Sequence, residues 1–515
     1  MSRSSRSNSL SLWLTAVMVL GMCTQGVRAA EQDRPNIILI MVDDMGFSDL
    51  RCYGGEINTP HIDSLAAQGL RFTQFYNCAK CETTRATLLT GRYAPEVGVA
   101  KLQNSITLAE GLRTAGYTTL MTGKWHMDSE PTERGFDKYF GHLSGATNYF
   151  TGDETFRLNG QPFEVPASGF YTTDANTDYA IQFIRESERD KPFFLYLAHN
   201  APHYPLQAPQ ADVEKYLERY EMGWDQLREQ RLARMKQLGI VSRDQTLSPR
   251  PEDVPAWDSL SPEQKKREVL MMATFAAMVD RVDQNLGRLV AELKVLDEFD
   301  NTLILFLSDN GACPFQRTKP DTVKNNLMPW DPNSYWTYDK GWAHACNTPF
   351  REYKQNQHEG GISTPLIAHW PQGIAKPGDI TTQPGHLVDF MPTFLELAGG
   401  TYPETFADHP VGKARGLSLV PILKGEQRQQ PDAIYFTFYG KNNALRAGEW
   451  KLVNKDNGPW ELYRINEDRI EAENLIESEP KQAAKLTNLW DVLSKEIGTG
   501  KAGRQQNGPK GKAAK

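Results

Sequence analysis

The sequence predicts an α/β fold: a large, mostly parallel (mixed) sheet sandwiched by helices, followed by a smaller C-terminal domain of antiparallel sheet plus helix. Three unbroken apolar runs carry this prediction, because such runs are typical of strands buried on both faces. Helical patterns alternate with the runs, which favours parallel strands joined by helices. The runs are PNIILIMVDDMG (35–46), KPFFLYLAHNAPHYP (191–205) and DNTLILFLSDNGA (300–312).

Between these runs we expect helices in 59–72, 107–117 and 270–296, and a shorter strand in YTTLMTGKWH (117–126). Ligand sites in open α/β sheets lie beyond the carboxyl ends of the strands. Polar side chains that follow four predicted strands should therefore meet at one edge of the sheet. They are Asp43 and Asp44, Lys124 and His126, His199 and His203, and Asp309 and Asn310.

The remaining chain divides into a predicted catalytic domain (31–400), a C-terminal domain (401–497) and a basic, disordered tail (498–515). Short strand patterns mark the C-terminal domain: AIYFTFYG, NALRAGEWKLV and WELYRIN. Residues 206–268 are predicted to be an insertion beside the site. The aperiodic stretch 314–350 is long enough to indicate a functional segment. Its aromatic residues either stack on sugar rings or pack the loop itself: Trp330, Tyr335, Trp336, Tyr338 and Trp342.

Residues 1–30 have the features of a signal peptide, with two arginines, the apolar run LSLWLTAVMVLGM and the small-residue end VRAAE. A membrane anchor is disfavoured because the run is too short to span a bilayer. A lipidated Cys23 is disfavoured because Met22 precedes it. We therefore expect a periplasmic or secreted protein without a transmembrane segment after signal cleavage. The net charge of −7 argues against a nucleic-acid partner.

A divalent cation is predicted from the oxygen-bearing residues that follow two of the strands. Adjacent carboxylates at Asp43 and Asp44 repel each other by roughly 4 kcal/mol at 4 Å in an effective dielectric of 20, unless a cation lies between them. Each group alone could serve a turn or a helix cap, and Asp309-Asn310-Gly311 is a common turn sequence. Together the oxygens favour Ca²⁺, with Mg²⁺ as the alternative, over zinc.

Cys81 stands where a helix is predicted to begin, in NCAKCETTRATLLTGRY (77–93). A lone cysteine is most often a small buried hydrophobe. Here the helix N-terminus favours negative charge, and Arg85 one turn further along adds a positive charge to the same side. The five cysteines that follow the signal peptide are an odd number, which indicates a free or otherwise used sulfur.

Three further side chains are candidates for charge and proton chemistry. Lys124 and His126 would share a face if the chain between them is extended, and His203 lies between two prolines. Each also has an ordinary alternative, as a surface lysine, a core histidine or a loop histidine. Spacing alone leaves these alternatives open.

The combined motifs resemble type I sulfatases, the formylglycine-dependent branch of the alkaline phosphatase superfamily, and are similar to bacterial arylsulfatases. The resemblance covers nearly the whole chain after residue 34. Its segments are PNIILIMVDDMGFSDLRCYGG, the signature from Cys81 to Arg92 with LLTGR, TGKWH, APHYPLQAP, LSDNG and YKQNQHEGGISTP. It implies a sulfuric ester hydrolase acting on aryl or carbohydrate sulfate monoesters.

The resemblance also implies a mechanism and a partner. A maturation enzyme would convert Cys81 to formylglycine, whose geminal diol attacks sulfur, forms a covalent sulfo-enzyme intermediate and then collapses to expel sulfate. The implied cation ligands are Asp43, Asp44, Asp309, Asn310 and the modified Cys81. The other implied roles are Arg85 supporting the diol, Lys124 and Lys354 holding sulfate oxygens, His126 as base and His203 as acid.

One residue departs from the family signature. Thr83 stands where these enzymes carry proline or alanine, two residues after the cysteine. The substitution favours keeping a second class in view, an unconverted and catalytically silent binder of sulfated glycans. A phosphomonoesterase or phosphodiesterase of the same superfamily is the other alternative, although a two-zinc enzyme of that kind would need more His and Asp ligands.

Overall fold

The computed structural model describes residues 34–499. The predicted signal peptide (1–30) and residues 500–515 of the predicted tail lie outside the described residues. The strands of the described chain are β1 Asn36–Val42, β2 Leu70–Tyr76, β3 Thr118–Gly123, β4 Lys138–His142, β5 Phe156–Leu158, β6 Gln161–Pro162, β7 Phe193–Ala198, β8 Thr302–Ser308, β9 Ser363–His369, β10 Ile380–Thr381, β11 Gly385–His386, β12 Thr405–Phe406, β13 His409–Pro410, β14 Ile434–Phe438, β15 Asn442–Ala447, β16 Trp450–Asn454 and β17 Glu461–Arg464.

Helices connect these strands and cover the main sheet. They are α1 Pro60–Ala67, α2 Cys81–Thr90, α3 Leu108–Thr114, α4 Thr172–Arg185, α5 Gln210–Glu214, α6 Gly223–Leu238, α7 Pro262–Val295, α8 Pro320–Lys324, α9 Lys340–Cys346, α10 Glu359–Ile362, α11 Phe390–Ala398, α12 Val420–Leu423 and α13 Pro480–Ile497. Short 3₁₀ turns lie at Arg51–Tyr53, Ala94–Val97, Val99–Lys101, Pro131–Arg134, Glu218–Tyr220, Trp257–Ser259 and Leu387–Asp389.

The main sheet has the strand order β10-β2-β9-β8-β1-β7-β3-β4-β5-β6, with β11 also paired to β2. Strands β8, β1, β7, β3 and β4 are mutually parallel, whereas β9 runs antiparallel to both of its neighbours. The predicted large, mostly parallel but mixed sheet is therefore confirmed.

Strand β1 shows why the apolar runs lack alternation. Ile38, Ile40 and Val42 belong to the core on one face of the sheet, together with residues of α1, α4 and α7. Ile37, Leu39 and Met41 belong to the core on the other face, together with residues of α2, α3 and α11. Both faces are covered by helices, so every position of the strand is apolar.

The segment 59–72, predicted as one helix, divides into α1 and the start of β2. The chain passes closely over β9 at Gly69, where an added Cβ would lie 2.3 Å from the Ala368 carbonyl oxygen. Leu70 then pairs with Ala368 in the sheet. The helix prediction for 70–72 was wrong because sheet pairing outweighs the local pattern.

The C-terminal part contains the antiparallel sheet β14-β15-β16-β17, and helix α13 packs against it. The predicted antiparallel sheet plus helix is confirmed, whereas the domain boundary at residue 400 stays a prediction. Within residues 34–499, no helix combines the length and apolar character needed to cross a bilayer.

Candidate active site

Four strand ends bring the predicted polar residues to one edge of the main sheet. Strand β1 lies between β8 and β7, and β3 lies beyond β7. Val42 and Ser308 are paired in register, so Asp43 and Asp309, the next residue of each strand, emerge side by side. The expectation that these strands carry their polar groups to one edge follows directly from their parallel pairing.

Three carboxylates and three cationic side chains meet here in a fully buried cluster. Arg85 Nη2 lies 3.1 Å from Asp309 Oδ2 and 3.4 Å from Asp43 Oδ2. Lys124 forms an ion pair with Asp43 through the same Oδ2 atom. On the other side, Lys354 forms an ion pair with Oδ1 of Asp44.

Several oxygens in this cluster are left without a hydrogen-bond partner. They are Asp43 Oδ1, Asp44 Oδ2 and Asn310 Oδ1, all buried among the described residues. Ligand atoms of Asp43, Cys81 and Asp309 lie within 4.8 Å of one another. Buried carboxylate oxygens without a partner are costly, and a set of oxygens around one point is what Ca²⁺ or Mg²⁺ binds. The residues present therefore fit a divalent cation.

The pKa shifts of the carboxyl groups also indicate that the cluster needs a further positive charge. Burial alone would raise the pKa of Asp43, but Lys124, His203 and Arg85 hold it well below its usual range. Asp309 behaves oppositely, because burial and the charge of Asp43 raise its pKa well above its usual range. Without a further positive charge, the simultaneous ionisation of all three carboxyl groups is therefore unfavourable.

Cys81 is the first residue of α2, after an extended Lys80, and is only 4% exposed. The predicted helix start is thus correct, and the free N–H groups of the first turn surround this position. Arg85, one turn along, is entirely buried and also donates to the Lys124 carbonyl oxygen at 3.0 Å. Because Arg85 contacts both Asp43 and Asp309, it joins the cysteine helix to the carboxylate cluster.

Two small hydroxyl residues that sequence reasoning did not select hold the loops of this site. The Thr84 hydroxyl donates to the Asp309 carbonyl oxygen at 2.7 Å and accepts from the Cys78 backbone N–H at 3.0 Å. The Ser308 hydroxyl donates to the Asn310 carbonyl oxygen and accepts from the Met45 N–H. The sequence could have identified Ser308 as a site residue, because it is a polar residue at the end of an apolar strand. Nothing in the sequence marked Thr84 except its nearness to Cys81.

His203 lies against the carboxylate cluster, as the motif APHYP led us to expect. Its Nδ1 donates to the Tyr204 carbonyl oxygen at 2.8 Å, which leaves Nε2 facing Asp44 Oδ2 at 3.6 Å. Burial lowers the pKa of His203 to about 4, although the negative charges of Asp43 and Asp44 oppose this. A neutral imidazole with one free nitrogen therefore faces the site.

His126 lies near the cluster, but not by the extended geometry first expected. Strand β3 ends at Gly123, and His126 adopts a left-handed backbone conformation with φ of 60°. Burial and the charges of Lys124 and Arg85 hold its pKa well below the usual range. Gly145 makes room for the ring, because a Cβ there would lie 2.7 Å from His126 Nε2.

His199 is not brought into the cluster. It is buried, its Nδ1 has no partner among the described residues, and burial lowers its pKa to about 4 with only Asp174 opposing. It directly follows β7, and its backbone N–H donates to the Met41 carbonyl oxygen at 2.8 Å. Its position after a strand was therefore insufficient to identify it as a site residue.

The aromatic residues of 314–350 are mostly packing residues. Trp342 is fully buried in α9 and contacts Trp224 and Trp257 of the 206–268 insertion, with ring centroids 5.5 and 5.4 Å away. Trp336 is also buried, and its indole N–H donates to the Leu327 carbonyl oxygen. Tyr335 lies closer to the site, with its ring centroid 6.3 Å from that of Tyr204.

Cys313 and Cys346 are both free thiols and form no disulfide with each other.

The fold is an α/β sheet covered by helices on both faces, and its carboxyl edge carries a buried cluster of acidic and cationic side chains. Comparison with known proteins identifies the family: the sulfatase family model matches residues 35–400, and the model of the C-terminal part of N-sulphoglucosamine sulphohydrolase matches residues 352–497. The chain belongs to the sulfatase family and is a sulfuric ester hydrolase.

Individual relatives and structures agree with this assignment. The chain is 34% identical to an arylsulfatase of Klebsiella aerogenes over 79% of its own length and 95% of that protein's. The crystal structure of Ps i-CgsB in complex with k-i-k-neocarrahexaose matches with a TM-score of 0.66 and 27% identity, covering 91% of this chain and 94% of that one. The structure of BT4656 in complex with its substrate D-glucosamine-2-N,6-O-disulfate matches with a TM-score of 0.63 and 25% identity, covering 92% and 100%.

Proposed function

We propose that the protein is an exported sulfatase that hydrolyses aryl or carbohydrate sulfate monoesters with a formylglycine made from Cys81 and one bound Ca²⁺, with Mg²⁺ as the alternative. The observation that carries the proposal is the convergence of Cys81, two buried lysines and unpartnered carboxylate oxygens at one sheet edge. An anionic sulfate needs concentrated positive charge, and the site supplies it from Arg85, Lys124 and Lys354 together with the cation.

The non-protein groups supply two kinds of chemistry. Conversion of the Cys81 thiol to an aldehyde would provide a geminal diol, of which one oxygen attacks sulfur and the other allows sulfate to leave. A divalent cation held by Asp43, Asp44, Asp309 and Asn310 would polarise a sulfate oxygen and lower the pKa of the attacking hydroxyl.

The remaining steps belong to side chains of this chain. Lys124 and Lys354 hold sulfate oxygens, whose negative charge grows in the transition state. His203, through Nε2, gives a proton to the leaving oxygen as its bond to sulfur breaks; the negative charge of the bound ester favours the protonated imidazole. His126 accepts the proton of the second hydroxyl as sulfate departs.

The substrate class rests on the relatives. One is named an arylsulfatase, and two solved neighbours are complexes with a neocarrahexaose and with D-glucosamine-2-N,6-O-disulfate. These names support a sulfated glycan or a smaller sulfate ester as substrate. Export to the periplasm or outside the cell rests on the sequence of residues 1–30, and conversion of Cys81 requires a maturation enzyme as partner.

Sulfate release from a panel of aryl and sugar sulfates tests the proposal, with the matching phosphate esters as competitors. We expect turnover of at least one sulfate ester, loss of activity on chelation and recovery with Ca²⁺. Fully converted enzyme that releases no sulfate from the whole panel, or that prefers phosphate esters, would contradict the proposal.

A further inference from the structure

A pocket opens directly beside the carboxylate cluster, on the side of the proposed proton donor. Its wall includes Asp44 on one side and Pro202 and Tyr204, the residues that flank His203 in sequence, on another. A group that receives a proton from His203 is the oxygen of the departing alcohol. The pocket therefore lies where the body of that alcohol would be held.

The rest of the pocket wall is aromatic and suits a ring. Phe315 and Tyr338 line it together with Tyr204, and Phe315 is partly exposed. The Tyr338 side chain is buried, yet its hydroxyl has no hydrogen-bond partner among the described residues. Aromatic faces stack on planar rings and on the C–H faces of sugars, and the phenol provides an unused polar group.

An exposed cation, Arg317, lies against two residues of the pocket wall, Phe315 and Thr337. The Arg317 side chain is exposed, and its guanidinium lies 5.4 Å from the centroid of the Phe315 ring. Its backbone N–H donates to the hydroxyl of Thr337, another pocket residue, at 3.3 Å. No carboxylate pairs with Arg317 in residues 34–499, and the segment PFQRTKP (314–320) contains no acid. An arginine held on an aromatic ring without an acidic partner is free to bind an anion.

The charge of Arg317 reaches into the pocket. Burial raises the pKa of the Cys313 thiol to about 12, with Asp44 adding to the rise, and Arg317 is among the charges that oppose it. Burial likewise raises the pKa of the Tyr204 phenol, and Arg317 again acts in the opposite direction. Both residues line the pocket, so its electrostatic potential includes a contribution from this guanidinium.

We propose that the pocket between Tyr204, Phe315 and Tyr338 holds the ring of the leaving group, and that Arg317 binds a second anionic substituent on it, a sulfate or a carboxylate. The preferred substrates are then polyanionic sulfated sugars rather than singly charged ones. This inference rests on the proposed function, because it assigns the leaving-group side of the same site.

The test compares three sugar sulfates that share the scissile ester: one otherwise neutral, one with a second sulfate and one with a carboxylate. We expect wild-type enzyme to show at least a tenfold higher kcat/KM for a doubly charged sugar than for the neutral one. In Arg317→Ala this ratio falls about tenfold, and Arg317→Lys restores part of it because the charge remains while the planar fork is lost. The two charged sugars show which anion is bound.

Salt and a matched variant separate recognition from a structural effect. Raising ionic strength should lower the wild-type ratio and leave that of Arg317→Ala nearly constant, because the contact is exposed. Arg113→Ala is the control: this exposed arginine, 3.9 Å from Asp137, lies before the start of β3, at the opposite end of the strand. A wild-type enzyme without preference for a second anion, or equal losses on all three sugars, would overturn the inference.

A binding measurement keeps this inference distinct from the proposed function. Calorimetry measures binding to the Cys81→Ala protein, which needs no turnover. The ligand is the sugar that lacks the scissile sulfate and keeps the second anionic group. We expect at least fivefold weaker binding when Arg317→Ala is added, whatever the fate of the sulfatase mechanism. Binding that does not depend on Arg317 would contradict the assignment even in an active sulfatase.

Discussion

Two buried charge clusters in this protein are built on opposite plans. At the junction with the C-terminal sheet, Glu359 Oε1 accepts from Lys451 at 2.9 Å and Oε2 accepts from Arg469 at 3.0 Å. Glu471 Oε2 accepts from the Glu359 backbone N–H at 2.9 Å, and its Oε1 lies 2.8 Å from Lys451 Nζ as an ion pair without hydrogen-bond geometry. At the catalytic edge, by contrast, one oxygen of each of Asp43 and Asp44 is buried without a partner.

The difference separates a structural role from a ligand-binding role. The junction cluster is closed, because each of its four carboxylate oxygens lies within 3.0 Å of a lysine, an arginine or a backbone N–H. These contacts hold the strand β16 against the segment that begins α10. The catalytic cluster is open, because its cations are matched by carboxylates that still have unused oxygens. A closed cluster should matter for stability alone, and an open cluster should matter for a ligand and for catalysis.

The largest expected effect is on stability, from opening the closed cluster. Glu359→Gln leaves Lys451 and Arg469 without their full countercharge, and we expect the free energy of unfolding to fall by about 3–5 kcal/mol in chemical denaturation. Asp178→Asn, which breaks an exposed pair with Arg288, is the control and should cost less than about 1 kcal/mol. Equal costs for the two variants would remove the distinction between the clusters.

Asp309→Asn, in the open cluster, should have a small effect on stability and a large effect on activity. Burial and the charge of Asp43 raise the pKa of Asp309, which favours the protonated form of its carboxyl group in the cation-free protein, and asparagine closely resembles that form. We expect the free energy of unfolding without cation to change by less than about 1 kcal/mol, while kcat/KM falls by about 10²–10³-fold. A large loss of stability with activity retained would show that this cluster is structural.

The stabilisation that Ca²⁺ gives in thermal denaturation should depend on the open cluster and not on the closed one. Ca²⁺ at a hundredfold excess over its Kd should stabilise chelator-treated protein by about 2.7 kcal/mol, because only the folded state binds it. The increment should be retained in Glu359→Gln and largely lost in Asp309→Asn. An increment that Asp309→Asn leaves intact would mean that the cation binds elsewhere.

The smallest effect is a pH dependence confined to the closed cluster. Burial would raise the pKa of Glu359, but Lys451 and Arg469 lower it from 4.5 to about 2. Its stabilisation is therefore complete above about pH 4.5 and is lost as pH falls toward 2. Between pH 6 and pH 4 we expect a loss of under about 1 kcal/mol relative to Glu359→Gln. A difference between wild type and variant that grows on acidification would contradict this assignment.

The sequence predicts which residues meet at the carboxyl edge of the main sheet, whereas it does not predict the residues of the closed cluster. Asp43 and Asp309 directly follow apolar strands, so parallel pairing alone places them side by side. Glu359 is far from Lys451 and Glu471 in the chain, and no strand-end rule joins them. The packing of α9 was also unreadable, because Trp342 finds its aromatic partners in a distant insertion. Thr84 is similar, since its role depends on the position of the Asp309 carbonyl.

In the proposed mechanism the modified Cys81 supplies the attacking oxygen, and its chemical state tests this mechanism most directly. Trypsin cleaves after Lys80 and Arg85 and so releases the peptide CETTR (81–85). Its mass in active enzyme should be that of the aldehyde, lighter than the cysteine form, in spite of Thr83 in the signature. Fully active protein in which this peptide retains an unmodified thiol would contradict the proposed mechanism.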